Sequence, residues 1–536
     1  MRKAPYMNTV RKTTLQGNSF AGYNRQAFGS VNAFWDMKNM TGVDAPIIRS
    51  RDKRRKVRSL NQCNGIFGRE ALGWVDGTDL YYDGEKVGTV QNSKKQFVHM
   101  GAYTVIFPDK VMLNTHTGEL TNMENTVTVA GTITYTPCDK MGDSAEWTSA
   151  VYVKMTATGI GKGFKSKDVV TISNSQVEGL NGDMQLDTVT DNEIILLGTI
   201  TAASVVQPGG LKMERLVPDM DYVTECNNRL WGCSSEKHEV YACKLGDPTN
   251  WRNYQSLASD AYTLTVGSYG DFTGARSHLG YVLFFKEHMI HKLYGDRPSN
   301  YQLTDTNARG VQKGSADSLC AMNETLYYHS PDGMAEYQGA LPSDAGSALG
   351  NVSYHNVRAG SAKGRMWACM EEEDGTHALF TLDGKTGLWH KEDDTNVVQF
   401  ANVENMLYMV TDKNELWCLT GRGDPMYEDD TAVWEKRQQY MVETGEMEMA
   451  DLYRKRLQKI QLRLEVDTEG SCDVDMQYDG GSWQTVYRVE AGKDKKALAL
   501  PIVPRRCDRM KIRIKGYGIM RLYNLNLITT GGSDIG

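Results

Sequence analysis

A short phrase recurs along this chain: a polar turn, then Leu or Met, then an aromatic residue and a short apolar run. It reads DLYYDG at Asp79, NNRLWG at Asn227, HLGYVLFF at His278, NETLYYHS at Asn323, KGRMWAC at Lys363 and ENMLYMV at Glu404. Anchored on Leu230, Leu283, Leu326, Met366 and Leu407, the gaps are 53, 43, 40 and 41 residues. A repeat of about 40–45 residues with several strands per unit is the mark of propeller blades, which bury their faces by stacking on one another. Within each unit a turn leads to another strand: MIHKLYG after LFFKEH, MAEYQGA after YYHSPDG, ELWCLTG after MVTDKN. With an earlier unit over residues 64–115, the period predicts about six or seven blades.

The period breaks twice. Residues 122–217 alternate Thr and Val (TVTVAGTITYT, AVYVKMTATG, KDVVTISNS) and predict a small β-barrel inserted between blades. From about residue 453 the alternation is cleaner. Ile460, Leu462, Leu464 and Val466 share one face, and Cys472, Val474, Met476 and Tyr478 share another. Such period-2 patterning predicts half-buried strands and a C-terminal β-sandwich. The expected fold is therefore all-β, a β-propeller with an inserted barrel and a C-terminal sandwich. Its expected parts are an extended arm (1–60), the propeller (61–121 and 218–424), the inserted domain (122–217), a linker (425–452) and the sandwich (453–536). The 52 glycines and 27 tyrosines suit many short strands and tight turns.

The ten cysteines are scattered, form no C-x-x-C, and lie mostly inside apolar runs such as RLWGC, MWAC and LWC. Buried thiols of that kind behave as small hydrophobes. The segment CKLGDPTNW (Cys243–Trp251) looks like a site but carries turn chemistry: Pro248 fixes φ and Asp247 can bond the backbone that follows. Gly246, Asp247 and Pro248 are expected in an exposed blade loop. TGIGKGFKS has the wrong spacing for a phosphate-binding loop, and a strand follows it where a helix is needed. LDGKTGLWHK and YDGGSWQTV resemble the Asp-box turns of sialidase-like propellers, which are structural turns. His288 and His291, three apart in a strand, fall on opposite faces and cannot share a metal. Arg422-Gly423-Asp424 reads as an ordinary turn. No catalytic residue, metal site or cofactor is expected.

The net charge of −7 argues against a dedicated nucleic-acid binder. One local run runs the other way: Arg49, Arg51, Lys53, Arg54, Arg55, Lys56 and Arg58 place seven cations within ten residues. It reads either as a solvated arm or as a contact to phosphates or an acidic partner. No apolar stretch follows the basic N-terminus, and runs such as YVLFF are far too short to span a membrane. Synthesis and folding in a cytoplasm are expected.

Two stretches carry a family likeness. SFAGYNRQAF…FWDMKNMTGVDAPIIRSRDKR resembles the N-terminal signature of phage tail hub and nozzle proteins, through Gly22, Tyr23, Asn24, Asp36, Asn39, Pro46, Arg49 and Arg51. NNRLWGCSSEKHEVYACKLGDPTNW resembles their recurring blade, through Arg229, Leu230, Trp231, Ser234, Gly246, Asp247, Pro248 and Trp251. The ending is similar to C-terminal sandwiches of structural proteins from phages of gut Firmicutes. The packaged-DNA stabilisation and nozzle proteins of short-tailed phages are the nearest likeness. It implies a virion tail protein that forms a homo-oligomeric ring, about six copies by closed symmetry, below the portal and adaptor. Double-stranded DNA would pass through its channel, and the basic run would hold the adaptor or the DNA end. The alternatives are a receptor- or glycan-binding protein at the tail tip and a sialidase-like glycosidase.

Overall fold

The computed structural model describes residues 12–420, 433–436, 438–448, 455–500, 502–503 and 505–531. Arg422-Gly423-Asp424 lies outside them. Among the described residues the helical pieces are four three-residue 3-10 turns; the rest is strand and loop. The chain divides into two compact units, Gln62–Lys313 and Met1–Asn61 with Gly314–Gly536.

Among the described residues seven antiparallel meanders of propeller-blade type occur. Four lie in the first unit, over 63–89, 96–122, 222–265 and 274–307. Two complete ones lie in the second unit, over 320–344 and 354–393. The seventh has three strands from 397–418, and Arg55–Ser59 supplies the fourth by pairing with Glu415–Cys418. The recurring phrase has a direct structural cause. Asn227-Asn228, Leu279-Gly280, Asn323-Glu324, Lys363-Gly364 and Glu404-Asn405 each have positive φ at both positions. Each closes a two-residue hairpin, as the pairs Cys226↔Arg229, His278↔Tyr281, Met322↔Thr325, Ala362↔Arg365 and Val403↔Met406 record. A turn with two left-handed residues matches the twist of the strands it joins. The strand that follows is buried on both faces: every residue of Arg229–Ser234 is buried, and so is every residue of Tyr281–Lys286 after the first. That is why it reads as a continuous apolar run. All five anchor residues are fully buried. Blades stack through these strands: Leu230 and Trp251 join Val98 and Phe107, while Trp231 and Cys233 join Phe284 and Leu293.

The insertion is one hydrogen-bonded path of eight strands. It begins at Asn125–Val129 and ends at Val205–Gln207. The two end strands do not pair with each other, so the expected barrel is an open eight-stranded sheet. It encloses a core of its own, with Ile133, Tyr135, Val153, Leu186, Leu196 and Met213 buried. Tyr135 satisfies its hydroxyl on Gln207 Oε1 at 2.7 Å.

The C-terminal sandwich has two sheets, and its membership differs from expectation. Met520–Gly531, Lys455–Val466 and Gly492–Leu500 form the centre of a seven-stranded sheet. Lys12–Gly17 pairs along Met520–Gly531, and Ile48–Ser50 pairs with it further on. The six-stranded sheet sets Phe34–Lys38 against Gln439–Thr444, then Arg509–Tyr517, Ser471–Tyr478 and Gln484–Val489. Residues 12–60 are thus strands of the sandwich and of the last blade, where an extended arm was expected. Residues 439–448, expected as linker, are strands of the same sandwich. Apolar faces drive this: Phe34, Met37, Met40 and Ile48 are buried in one cluster with Ile460, Leu462, Ile514 and Leu525. Each such side chain withdrawn from water stabilises by about 1.5–3 kcal/mol.

Candidate functional site

The basic run sets the chemistry of a recess in the second unit. Arg51 and Arg54 leave the strand Ile48–Ser50 and run into Arg55–Ser59, so their side chains meet the end of the sixth blade. Arg51 grips Glu435 with two bonds, Nη1 to Oε2 at 2.8 Å and Nη2 to Oε1 at 3.0 Å. Its Nε donates to Asn39 Oδ1 at 2.7 Å. Arg54 Nη2 donates to Glu392 Oε2 at 2.6 Å, and its Nη1 lies 2.8 Å from Asp393 Oδ2. Trp367 Nε1 donates to the other oxygen of Glu392 at 2.8 Å. Lys56 pairs with Glu415, and Arg49 with Asp44 and Asp52. Arg51, Arg54 and Arg55 are buried, whereas Lys53 and Arg58 are exposed.

Of the run expected to contact DNA or an acidic partner, Arg51, Arg54 and Lys56 are engaged inside the unit by carboxylates at residues 392, 393, 415 and 435, and Arg49 by Asp44 and Asp52, while Lys53 and Arg58 stay exposed. Buried charges survive when paired and hydrogen-bonded, and Arg51 and Arg54 each face more than one carboxylate here, although Arg54 Nε has no hydrogen-bond partner among the described residues.

A cleft of about 870 Å³ opens beside the network, lined by Lys38, Arg51, Arg54, His377, Asp393, Asn396, Trp417 and Glu435 among others. Burial alone would raise the Asp393 pKa, but Arg54 and Arg51 outweigh it and hold the carboxyl down at about 2. Glu435 is also held below its usual range, Arg51 and Arg54 overcoming its burial. Both carboxylates are fixed anions. A general acid needs the reverse shift, toward the working pH. Asp36 does shift upward, through burial opposed by Lys391. Its tyrosine neighbours Tyr23 and Tyr354 are themselves pushed well above their ordinary range, mainly by burial, so neither is an activated nucleophile. Among the described residues no group of three His, Cys, Asp or Glu side chains could hold a metal ion.

The loop at Gly246, Asp247 and Pro248 is a turn, exposed only at Gly246; Asp247 is half-buried and Pro248 buried. Asp247 Oδ1 accepts from Thr249 N and Oγ1, and the Pro248 carbonyl accepts from buried Trp251 Nε1 at 2.7 Å. Arg229 ties the turn down by donating to the carbonyls of Cys243, Ala258 and Asp260. Burial pushes the Cys243 thiol up to about 12, which makes it inert. All ten cysteines are free thiols, and all but Cys63 are buried. The Asp-box-like turns are structural too: Asp383 Oδ1 caps Lys385 and Thr386, and Asp479 Oδ1 caps Asp508 and Arg509. His291 is buried between Asp305 and Ser268, while His288 is exposed.

The residues that carry the family likeness at the N-terminus hold the fold. Gly22 has φ +69, and a Cβ there would meet the Trp389 carbonyl at 2.4 Å. Tyr23 packs edge-on against Phe380 at 5.2 Å. Asn39 joins Arg51 to the Gln439 carbonyl. Pro46 accepts from Phe20 N.

The fold and site define a class: an all-β protein of propeller-type blades, an inserted sheet and a sandwich, with an ion-pair network lining its cleft. No known protein family matches the sequence, and no curated protein matches it. Solved structures that resemble it include BamB from Moraxella catarrhalis, at 10% identity over 69% of this chain and 98% of that one, TM-score 0.32. The RRP9 WD40 repeats match at 8% identity over 69% and 98%, TM-score 0.29. An exo-β-1,3-galactanase from Phanerochaete chrysosporium matches at 10% identity over 56% and 92%, TM-score 0.23. At these scores the likenesses carry no argument about function. No helix among the described residues is long and apolar enough to cross a membrane.

Proposed function

We propose that this chain is a structural protein of a phage virion, a tail hub or nozzle. In this reading it assembles into a ring of about six copies by closed symmetry, seats below the portal and adaptor, and retains and then conducts the packaged DNA. That role needs no catalysis. The observation that supports this best is the fate of the basic run. Its charges at Arg49, Arg51, Arg54 and Lys56 are neutralised within the unit, in a chain of net charge −7. An acidic wall repels phosphates, so a genome slides along it where a basic wall would hold it through counterion release. The N-terminal segment, locked into the sandwich, suits a rigid component.

The test is mass by light scattering with negative-stain imaging, alone and after mixing with purified portal–adaptor particles. A closed ring with a central hole, free or on the particles, is expected. A chain that stays monomeric and adds nothing to the particles overturns the reading.

A further inference from the structure

A serine, a histidine and a carboxylate meet in a line in the first unit, and the hub reading uses none of them. Met289–Tyr294 and Gln302–Asn307 are the third and fourth strands of one blade, and their register sets His291 opposite Asp305. His291 Nδ1 lies 2.6 Å from Asp305 Oδ1, and its Nε2 lies 3.0 Å from Ser268 Oγ. A carboxylate at Nδ1 keeps the proton on that nitrogen, so Nε2 is the acceptor and the Ser268 hydroxyl donates to it. This is the order of groups by which a serine hydroxyl is made nucleophilic.

The loop that carries Ser268 is held at both ends. Val266 N donates to the His238 carbonyl at 2.7 Å, and Phe272 N donates to Ser235 Oγ at 2.9 Å. Buried Lys286 donates to the Ser268 carbonyl itself at 2.6 Å, and its Nζ sits 4.9 Å from the centre of the Phe272 ring. Phe272 in turn packs edge-on against His291 at 6.2 Å. Ser268 therefore has a fixed place beside the imidazole. It is also reachable: it is half-buried, between exposed Gly267 and fully exposed Tyr269. The backbone amides of Tyr269 and Gly270, next along the loop, donate to no described residue. Uncommitted amides following the nucleophile are the kind of donor that a developing oxyanion needs.

We propose that Ser268, His291 and Asp305 form a triad that hydrolyses carboxylic esters. Ser268 Oγ bonds to the acyl carbon as its proton passes to His291 Nε2. The bond from that carbon to the alkoxy oxygen breaks, and the leaving alkoxide takes the proton away as the alcohol. Water then attacks the acyl-serine ester and gives its proton to His291, which returns it to Ser268 Oγ as the acid leaves. Ser268 and His291 are the catalytic residues. Asp305 touches no reacting atom and is a positioning residue, holding the imidazole in the tautomer that accepts at Nε2. An ester fits better than an amide, because an alcohol is the better leaving group. The proposal is independent of the hub reading, since ring formation and ester cleavage can each fail without the other.

The test exposes the full-length protein to a fluorophosphonate, which bonds to an activated serine with loss of fluoride, and follows hydrolysis of p-nitrophenyl acetate. An adduct mapped to Ser268 is expected, with ester hydrolysis that Ser268→Ala abolishes. Asp305→Asn should cut the rate about 100-fold or more, as loss of a triad carboxylate does. Burial and Lys286 hold the His291 pKa below its ordinary value against the pull of Asp305. The rate should therefore stay level below neutral pH and fall only beneath the usual histidine range. Ser268 and Asp305 both reach solvent, so thermal unfolding of the two variants should match the parent. No adduct at Ser268, hydrolysis undiminished in Ser268→Ala, or a full rate in Asp305→Asn would each overturn the proposal.

Discussion

The insertion and the sandwich are both built of alternating strands, yet the chain makes them in opposite ways. The insertion is contiguous: all eight strands lie within residues 125–215, and its entry and exit are paired, Asn125 against Arg215. The sandwich is assembled from the two ends of the chain, with Lys12 opposite Thr530 and the Asn39 side chain bonded to Gln439, 400 residues away. The insertion and the unit that bears the sandwich each hold a buried arginine–carboxylate pair. In the insertion Arg215 meets Asp168 at 2.6 Å within one local sheet, whereas Arg54 meets Glu392 at 2.6 Å across most of the sequence. A local module can be gained or lost without disturbing its host. A module closed by both ends commits the whole unit.

The largest contrast should come from deletions. Replacing 126–214 by a short Gly-Ser turn should leave a folded, soluble protein, because the paired residues Asn125 and Arg215 already sit side by side. Removing 12–50 takes four strands from the sandwich and exposes its core, and should give insoluble protein. Circular dichroism and solubility of the two truncations decide the matter; equal behaviour would break the comparison.

Next in size are the buried arginines. Arg215→Ala should cost about 3–5 kcal/mol, because it leaves the buried Asp168 carboxylate without its cation, and Arg54→Ala should cost less, because Arg51 stays beside Glu392 and Asp393. The consequences should differ in extent. Arg54→Ala should lower the unfolding midpoint of the sandwich-bearing unit, while Arg215→Ala should loosen the insertion alone, as read by limited proteolysis.

Acid should separate the regions further. His390 is buried beside Gly22 and Gly42, and burial drives its pKa down to about 4, with Asp383 opposing. The folded state keeps it neutral while the unfolded chain takes up a proton below the ordinary histidine value, so stability falls as pH drops toward 4. Asp393 continues the loss at lower pH: the unfolded carboxyl protonates first, and its share of the stability disappears as pH falls toward 2. Residues 125–215 contain no histidine. Thermal scans between pH 7 and 4 should therefore show destabilisation that His390→Gln reduces and that excising the insertion leaves unchanged. The smallest effect is expected at Lys53, the exposed member of the basic run: Lys53→Ala should change stability by less than about 0.5 kcal/mol.

What could be read from the sequence follows the same division. The repeat was legible because each blade is local. A two-residue turn with positive φ and an apolar strand buried on both faces must recur in every unit, and the anchors Leu230 to Leu407 are buried where the period puts them. The alternation in 460–466 and 472–478 was legible for the same reason. The role of residues 12–60 was not. Their partners lie hundreds of residues away, and Arg51 and Arg54 look like a solvated arm until Glu392, Asp393 and Glu435 are seen beside them. Charged residues are buried only when paired, and pairing over such distances leaves no local pattern. The insertion's failure to close into a barrel was hidden similarly, since only the pairing of its first and last strands distinguishes the two.

The measurement that bears most directly on this account is native-state hydrogen exchange over residues 12–59. If this segment is built into the sandwich and the last blade, its amides in Lys12–Gly17, Phe34–Lys38 and Arg55–Ser59 should be protected about as strongly as those of Lys455–Val466 and Met520–Gly531. Rapid exchange throughout 12–59, with protection retained in 455–531, would contradict it and return the basic run to a free arm available for DNA or a partner.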